Sequence, residues 1–90
     1  MASVNYSDGT EVNQSLTNES MEKIWVSPST MDSGDTVDVP TVTGATVRVV
    51  SCWDQDTGQA VTATVSSFTV TVDSGGGASN DTYVLKYIYT

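Results

Sequence analysis

Ala60–Thr90 reads AVTATVSSFTVTVDSGGGASNDTYVLKYIYT, and its alternation decides the fold class. Val61, Ala63 and Val65 alternate with Thr62 and Thr64, and Phe68, Val70 and Val72 alternate with Thr69, Thr71 and Asp73. A period of two puts each apolar set on one face of a strand. With Ser66-Ser67 as a two-residue turn, Val65 falls opposite Phe68, Ala63 opposite Val70 and Val61 opposite Val72. Both apolar sets then share a face, and a one-residue slip would separate them. Ser-Ser lacks the Gly or Asn that tight primed turns favour, so a longer or bulged turn also fits. The threonines suit strands and keep the second face wettable.

After Asp73 comes SGGGASND, rich in turn formers. In TYVLKYIYT, Tyr83, Leu85, Tyr87 and Tyr89 share one face and Val84, Lys86 and Ile88 the other. Bulk on both faces describes a central strand, or one covered on its second side. The tyrosines then have two placements. They lie in the core with hydroxyls reaching water, or one row, carrying Tyr83, Tyr87 and Tyr89, meets another subunit. Tyrosine is favoured at interfaces because it offers large area with few torsions.

Upstream, KIWVS sets Ile24 and Val26 against Trp25. DTVDV turns Val37 and Val39 inward with Thr36 and Asp38 outward, and Pro40 ends it. TVRVVSCW places Val47, Val49, Ser51 and Trp53 on one side and Arg48, Val50 and Cys52 on the other. DQDTGQ leads into the hairpin. Six short strands with turn signals between them and no long helix predict a small all-β domain, an antiparallel sandwich or barrel, over 23–90.

Residues 1–22 differ. Val4, Tyr6, Val12, Leu16 and Met21 are sparse and follow neither period. The polar residues between them bury too little to offset ordering. This stretch is read as an extended arm. It either folds back on its own sheet, as an added edge strand or a short helix around Glu11–Leu16, or lies across a neighbouring subunit. Val4, Tyr6, Val12 and Leu16 are its candidate contact residues.

Composition narrows function by exclusion. Ninety residues make one domain, burying about 60% of the surface its unfolded chain exposes. The single cysteine, Cys52, forms no internal disulfide and reads as a small buried residue. Histidine is absent, so neither a Ser-His-Asp nor a Cys-His site can be built. Eleven carboxylates against three basic residues would repel a polyanion, so nucleic acid is not an expected partner. No apolar run has the length of a membrane span. MASVNYSDGT has neither the basic nor the apolar region of a signal peptide. Synthesis in the cytoplasm is expected, with the product staying there or leaving inside a particle. Sequons at Asn5, Asn13, Asn18 and Asn80 match what abundant Ser and Thr produce by chance.

Several short motifs read as turns. Asp56-Thr57-Gly58 is the triplet of aspartic proteases, but Asp54, Gln55 and Gln59 flank it where that family places apolar and small residues. Asp54, Asp56 and Gly58 open like a calcium loop, yet no acid closes it, since position 65 is Val65. Asp32-Ser33-Gly34-Asp35 is a further turn. Ser74–Gly77 lacks the lysine and helix of a phosphate loop. Trp25 and Trp53 are core residues or an aromatic platform for sugar. No cofactor and no enzymatic activity are expected.

Taken together, the polar arm, TVDVP at Thr36–Pro40, VTATVSSFTVTVD at Val61–Asp73, the glycine-rich loop with NDTY at Asn80–Tyr83, and the terminal aromatic strand resemble small structural proteins of tailed viruses (bacteriophages). The capsid decoration, or cement, proteins are the subgroup. The resemblance covers most of residues 36–90. It implies an auxiliary β-sandwich protein of the virion, often trimeric, that binds the capsid lattice of major capsid protein and braces it, with terminal arms reaching neighbours. Another virion part (tail, fibre base or connector) and a monomeric carbohydrate-binding module are the alternatives.

Overall fold

The computed structural model describes residues 3–13, 22–72 and 80–90. The chain is an all-β sandwich of two sheets. Its strands are β1 (Ser3–Val4), β2 (Thr10–Asn13), β3 (Glu22–Val26), β4 (Thr36–Asp38), β5 (Val47–Asp54), β6 (Gln59–Ala60), β7 (Ala63–Ser66), β8 (Thr69–Val72) and β9 (Tyr83–Tyr89). One sheet runs β1-β4-β8-β7 and the other β2-β3-β9-β5-β6. Every pairing is antiparallel except β1 with β4. A single 3-10 turn, Tyr6–Asp8, carries the chain from the first sheet to the second.

The core lies between the sheets. The four-stranded sheet contributes Val37, Val70 and Val72, and the five-stranded sheet Trp25, Val47, Cys52, Tyr83, Leu85, Tyr87 and Tyr89. The alternation in β4 and β8 therefore points as the sequence predicts. β9 is central, between β3 and β5, which is why both of its faces carry bulk. Its aromatic row is the inward one.

Three local readings are corrected. The hairpin turn lies one residue later than expected, which shifts every cross-strand partner by two: Ser66 pairs with Thr69, Val65 with Val70 and Ala63 with Val72. Ser67 and Phe68 form the turn, with Ser67 at φ 58. A shift of two preserves every face, so the apolar set still points inward. In the turn, the half-buried Phe68 packs against the core and its carbonyl accepts a bond from the Val39 amide at 2.9 Å.

The strand expected over Val61–Val65 is divided between the sheets. The Val61 amide still donates to the Cys52 carbonyl on the β5 side at 3.0 Å, whereas Ala63 onward pairs with β8. The chain changes sheets at Val61-Thr62, as strands do at sandwich corners. Val61 thereby packs against the core rather than extending the hairpin.

The third correction falls on β5. Val49 pairs with Tyr87 and Ser51 with Lys86, leaving Val50 as the extra residue of a β-bulge. Alternation reverses there. Val47 and Val49 face inward before the bulge, Cys52 and Asp54 after it, and Ser51 and Trp53 turn outward.

Candidate functional site

The two outer faces differ sharply in chemistry. On the four-stranded sheet the outward positions are Ser3, Thr36, Asp38, Thr64, Ser66, Thr69 and Thr71, all hydroxyl or carboxylate. The Thr69 hydroxyl donates to the Asp38 carboxylate at 2.6 Å. On the five-stranded sheet the outward rows mix apolar side chains with Thr10, Ser51, Glu22, Arg48 and Lys86. One runs Val26, Val84, Trp53 and Ala60 across β3, β9, β5 and β6. The next begins Val12, Ile24 and Lys86, and beyond it lie Ile88 and Arg48. Val12 and the bulge residue Val50 are the exposed large hydrophobic residues, at 44% and 46%. Among the described residues no strand lies over this face.

Charge reinforces the difference. Lys23, Arg48 and Lys86 are the only basic residues in the sequence, and all three lie on the five-stranded sheet. Among the described residues, Arg48 and Lys86 point outward with one carboxylate, Glu22, which pairs with Lys86 at 3.5 Å. A partly apolar face carrying two cations thus sits on a chain of net charge −8. A contiguous apolar patch rimmed by polar groups is the usual mark of an interaction surface.

The expected contact residues divide differently. Tyr83, Tyr87 and Tyr89 are core residues, with Tyr83 and Tyr87 fully buried. They do not form a partner-facing row, because the sandwich closes over them. Nor do their hydroxyls depend on water. Tyr83 bonds with Ser33 Oγ at 3.1 Å, Tyr87 with the Tyr6 hydroxyl at 2.8 Å, and Tyr89 donates to the Pro40 carbonyl at 2.6 Å. Val4 and Tyr6 are half-buried against the core, and Val12 is exposed. Leu16 and Met21 lie outside the described residues. Sequence reading placed Trp53 on β5 but not its outward face, because a bulge has no composition signal.

Residues 3–13 take the first of the two placements considered for the arm. β1 extends the four-stranded sheet, β2 extends the five-stranded one, and the 3-10 turn bridges them. Where a helix around Glu11–Leu16 was the option, Glu11–Asn13 are strand; the rest of that stretch lies outside the described residues. The Tyr6 ring stacks on Trp25 at 5.5 Å and 17°, and Trp25 Nε1 donates to the Tyr6 carbonyl at 2.9 Å. Tyr6 also donates to Glu11 Oε1 at 2.8 Å, and Glu11 pairs with Lys23 at 3.6 Å.

Burial pushes the Tyr6, Tyr87 and Tyr89 hydroxyls above the ordinary tyrosine value. Donating to Tyr6 raises Tyr87 further, while accepting that bond partly offsets the rise at Tyr6. Below about pH 10 these groups are protonated whether folded or unfolded, and their full contribution is present. As pH climbs beyond about 10 the unfolded chain releases protons that the folded chain keeps, so stability falls, by up to about 1.4 kcal/mol per pH unit per tyrosine. Denaturant midpoints measured from about pH 8 to 11 should drop at the alkaline end, and less steeply for Tyr6→Phe. A flat profile would contradict the buried tyrosine network.

The calcium-like opening behaves as a turn. Gly58 adopts φ 76, and the Asp54 carboxylate accepts from the Asp56 amide at 2.9 Å. The fold adds a partner that linear reading missed: Asp81 brings its carboxylate within 4.8 Å of those of Asp54 and Asp56. Asp56 is tied to the Thr82 amide at 3.0 Å. Oxygen donors of this kind suit a hard divalent cation. The Asp-Thr-Gly triplet lies in this exposed turn, not in the dry paired site that a shared proton needs.

Comparison with protein-family models, with curated proteins and with solved structures finds no match.

Proposed function

We propose that this chain is a non-catalytic structural protein that works by laying the outer face of its five-stranded sheet on another protein, and that its place is in a virion as a capsid decoration or cement protein. The observation that carries the association is the inequality of the two outer faces. One carries only hydroxyls and a carboxylate among the described strands; the other carries Val12, Ile24, Val26, Trp53 and Ile88 together with Arg48 and Lys86. The field of a strongly acidic chain orients that less acidic face toward a partner. The matching surface is an apolar patch edged by carboxylates on the major capsid protein or another virion protein. The resemblance over residues 36–90 supports the virion setting and implies a homo-oligomer, with a trimer favoured. Many modest contacts repeated over a lattice would brace it through multivalency.

The test combines Val12→Asp and Val50→Asp. Both positions are exposed, so folding stability should change by no more than about 0.5 kcal/mol at each. Association with particles produced by the encoding genome, read by co-sedimentation, should weaken at least tenfold, or about 1.4 kcal/mol. Undiminished co-sedimentation of the double variant, or particles lacking the chain altogether, would overturn the reading.

One observation favours a second reading. Trp53 is half-buried on the flat outer face while Trp25 is sealed in the core, so a sugar platform would rest on Trp53 alone. A stable monomer whose glycan binding disappears with Trp53→Ala would select that function instead.

A further inference from the structure

We propose that the open edge of β7 pairs with the β7 edge of a second copy of this chain, antiparallel about a two-fold axis at Thr64. β7 ends its sheet, in the order β1-β4-β8-β7. The direction of its free backbone groups follows from β8. The Val72 amide donates to the Asp35 carbonyl at 3.0 Å, and the Val72 carbonyl accepts from the Gly34 amide at 2.7 Å. Both groups are thus taken up on the far side from β7, so Val72 and Ala63 form a non-hydrogen-bonded pair. The N–H and C=O of Ala63 then point out of the sheet edge, and those of Val65, two residues on, do the same. Among the described residues nothing bonds to these groups.

An edge with free donors and acceptors pairs with other chains unless brevity, charge, proline or a bulge prevents it. The other described edges are protected in these ways. β1 and β6 have two residues each, and β2 carries Glu11. β7 is Ala-Thr-Val-Ser, four residues in unbroken register with β8, and has none of these protections.

Register and charge select a second copy as the occupant. An axis at Thr64 sets Ala63 of each copy opposite Val65 of the other. These are the residues with free groups, so each pair exchanges both of its hydrogen bonds. Both side chains also pack inward against the core, the smaller opposite the larger. Thr64 meets Thr64 on the outer face, a favourable cross-strand pair. A register of the other parity would set inward Val65 against outward Thr64. Copies of a chain of net charge −8 repel each other, so they meet best at an edge without charge. Asp38 on β4 is the one charged residue in the described strands of this sheet. Across the joined edge the two Asp38 positions are five strand spacings, about 24 Å, apart, well beyond the Debye length of about 8 Å. Four strands from each copy make a sheet of eight, within the ordinary range. The contact is two-fold and closes with two copies. It is distinct from the three-fold association that the resemblance implies, and it uses none of the outward side chains of the five-stranded sheet.

The experiment uses full-length chains and two readouts. Thr64→Cys sets two thiols at a non-hydrogen-bonded pair, with Cα atoms about 4.5 Å apart, within disulfide reach. Thr71→Cys is the control. It lies opposite Thr64 on β8, three strand spacings or about 14 Å from its counterpart in the other copy, beyond disulfide reach. Under a mild oxidant, with bridges mapped by mass spectrometry, the 64–64 bridge should form at least tenfold faster than the 71–71 bridge. Sedimentation equilibrium is the second readout. So small an interface binds weakly, with a dissociation constant above about 1 µM, and the wild-type chain should populate dimer below about 1 mM. Thr64→Lys sets like charges directly opposite each other and should weaken the dimer at least tenfold with an unchanged thermal midpoint. Should that midpoint fall, the bridging rates decide. The Val12→Asp/Val50→Asp variant should dimerise like wild type, so this proposal and the one for the five-stranded face fail separately. A wild-type chain found only as monomer, or only as trimer, up to about 1 mM overturns the proposal. So does a dimer that Thr64→Lys leaves intact, or equal bridging rates at 64 and 71.

Discussion

Trp25→Ala is expected to remove about 3–5 kcal/mol of folding stability, the cost of emptying a fully buried aromatic site. Trp25 has no exposed surface and packs in the cluster with Tyr83, Leu85 and Tyr87. Two further losses accompany the cavity. The Tyr6 ring loses its stacking partner, and the Tyr6 carbonyl loses the indole donor. A chain of this length commonly has only about 5–13 kcal/mol in total, so the change takes a large share. The thermal midpoint should fall by more than about 10 °C. Trp25→Phe keeps a stacked ring and loses the N–H, and should fall between alanine and wild type. The same truncation at Trp53, on the outer face, should cost distinctly less. If the two tryptophan truncations matched, the assignment of inner and outer faces would be wrong.

Gly9→Ala is the second large effect, and its cause is crowding rather than loss. Gly9 has φ −98 and ψ −166, ordinary extended backbone that any residue adopts. Space is what is missing. The nearest atoms to the added carbon are a backbone oxygen of β3 and the sealed indole, and neither can move aside cheaply. Overpacking of this kind costs about 1–3 kcal/mol, occasionally more, and the backbone partner puts Gly9 at the upper end. The damage should be local. Amides of β3 facing β2 should lose hydrogen-exchange protection, while β8 and β9 keep theirs. Tryptophan fluorescence should report the uncovered Trp25. Wild-type protection in β3 would mean that residues 3–13 do not sit on Trp25. Gly9→Ser should behave like alanine, since conformational freedom is not what the glycine supplies.

Both effects arise where the chain's least promising segment meets its best core residue. Residues 3–13 carry no periodic pattern, and β1 has only two residues. Such strands are held by the hydrogen-bonding edges of β4 and β3, and edges belong to partners. Nothing in SVNYSDGTEVN says that Tyr6 will find Trp25, 19 residues away. The glycine is a signal only in hindsight, because close approach cannot be told from a turn in one sequence.

The hairpin teaches the converse. Its turn was misplaced, yet the inward set of Ala63, Val65, Val70 and Val72 was read correctly, because a shift of two leaves parity intact. Parity failed only where the count itself changed, at the Val50 bulge, and continuity failed where the strand left one sheet for the other at Val61-Thr62. The acidic turn shows the same limit. Asp54 and Asp56 are near in sequence, but Asp81 joins them because β9 pairs with β5.

The residue pattern by itself determined that this chain is all-β, that β4 and β8 turn their apolar alternates inward and that Tyr83, Leu85, Tyr87 and Tyr89 share one face of β9, because side-chain direction along a strand depends on local backbone geometry alone. It also determined the acidity and the lack of histidine that exclude several chemistries. Only the tertiary structure decided which side chains face outward on each sheet and that the β9 tyrosines face the core. That choice depends on which strands pair, where one extra residue reverses a face, and how the two sheets close over the tyrosines, all of which follow from long-range contacts that no local pattern encodes.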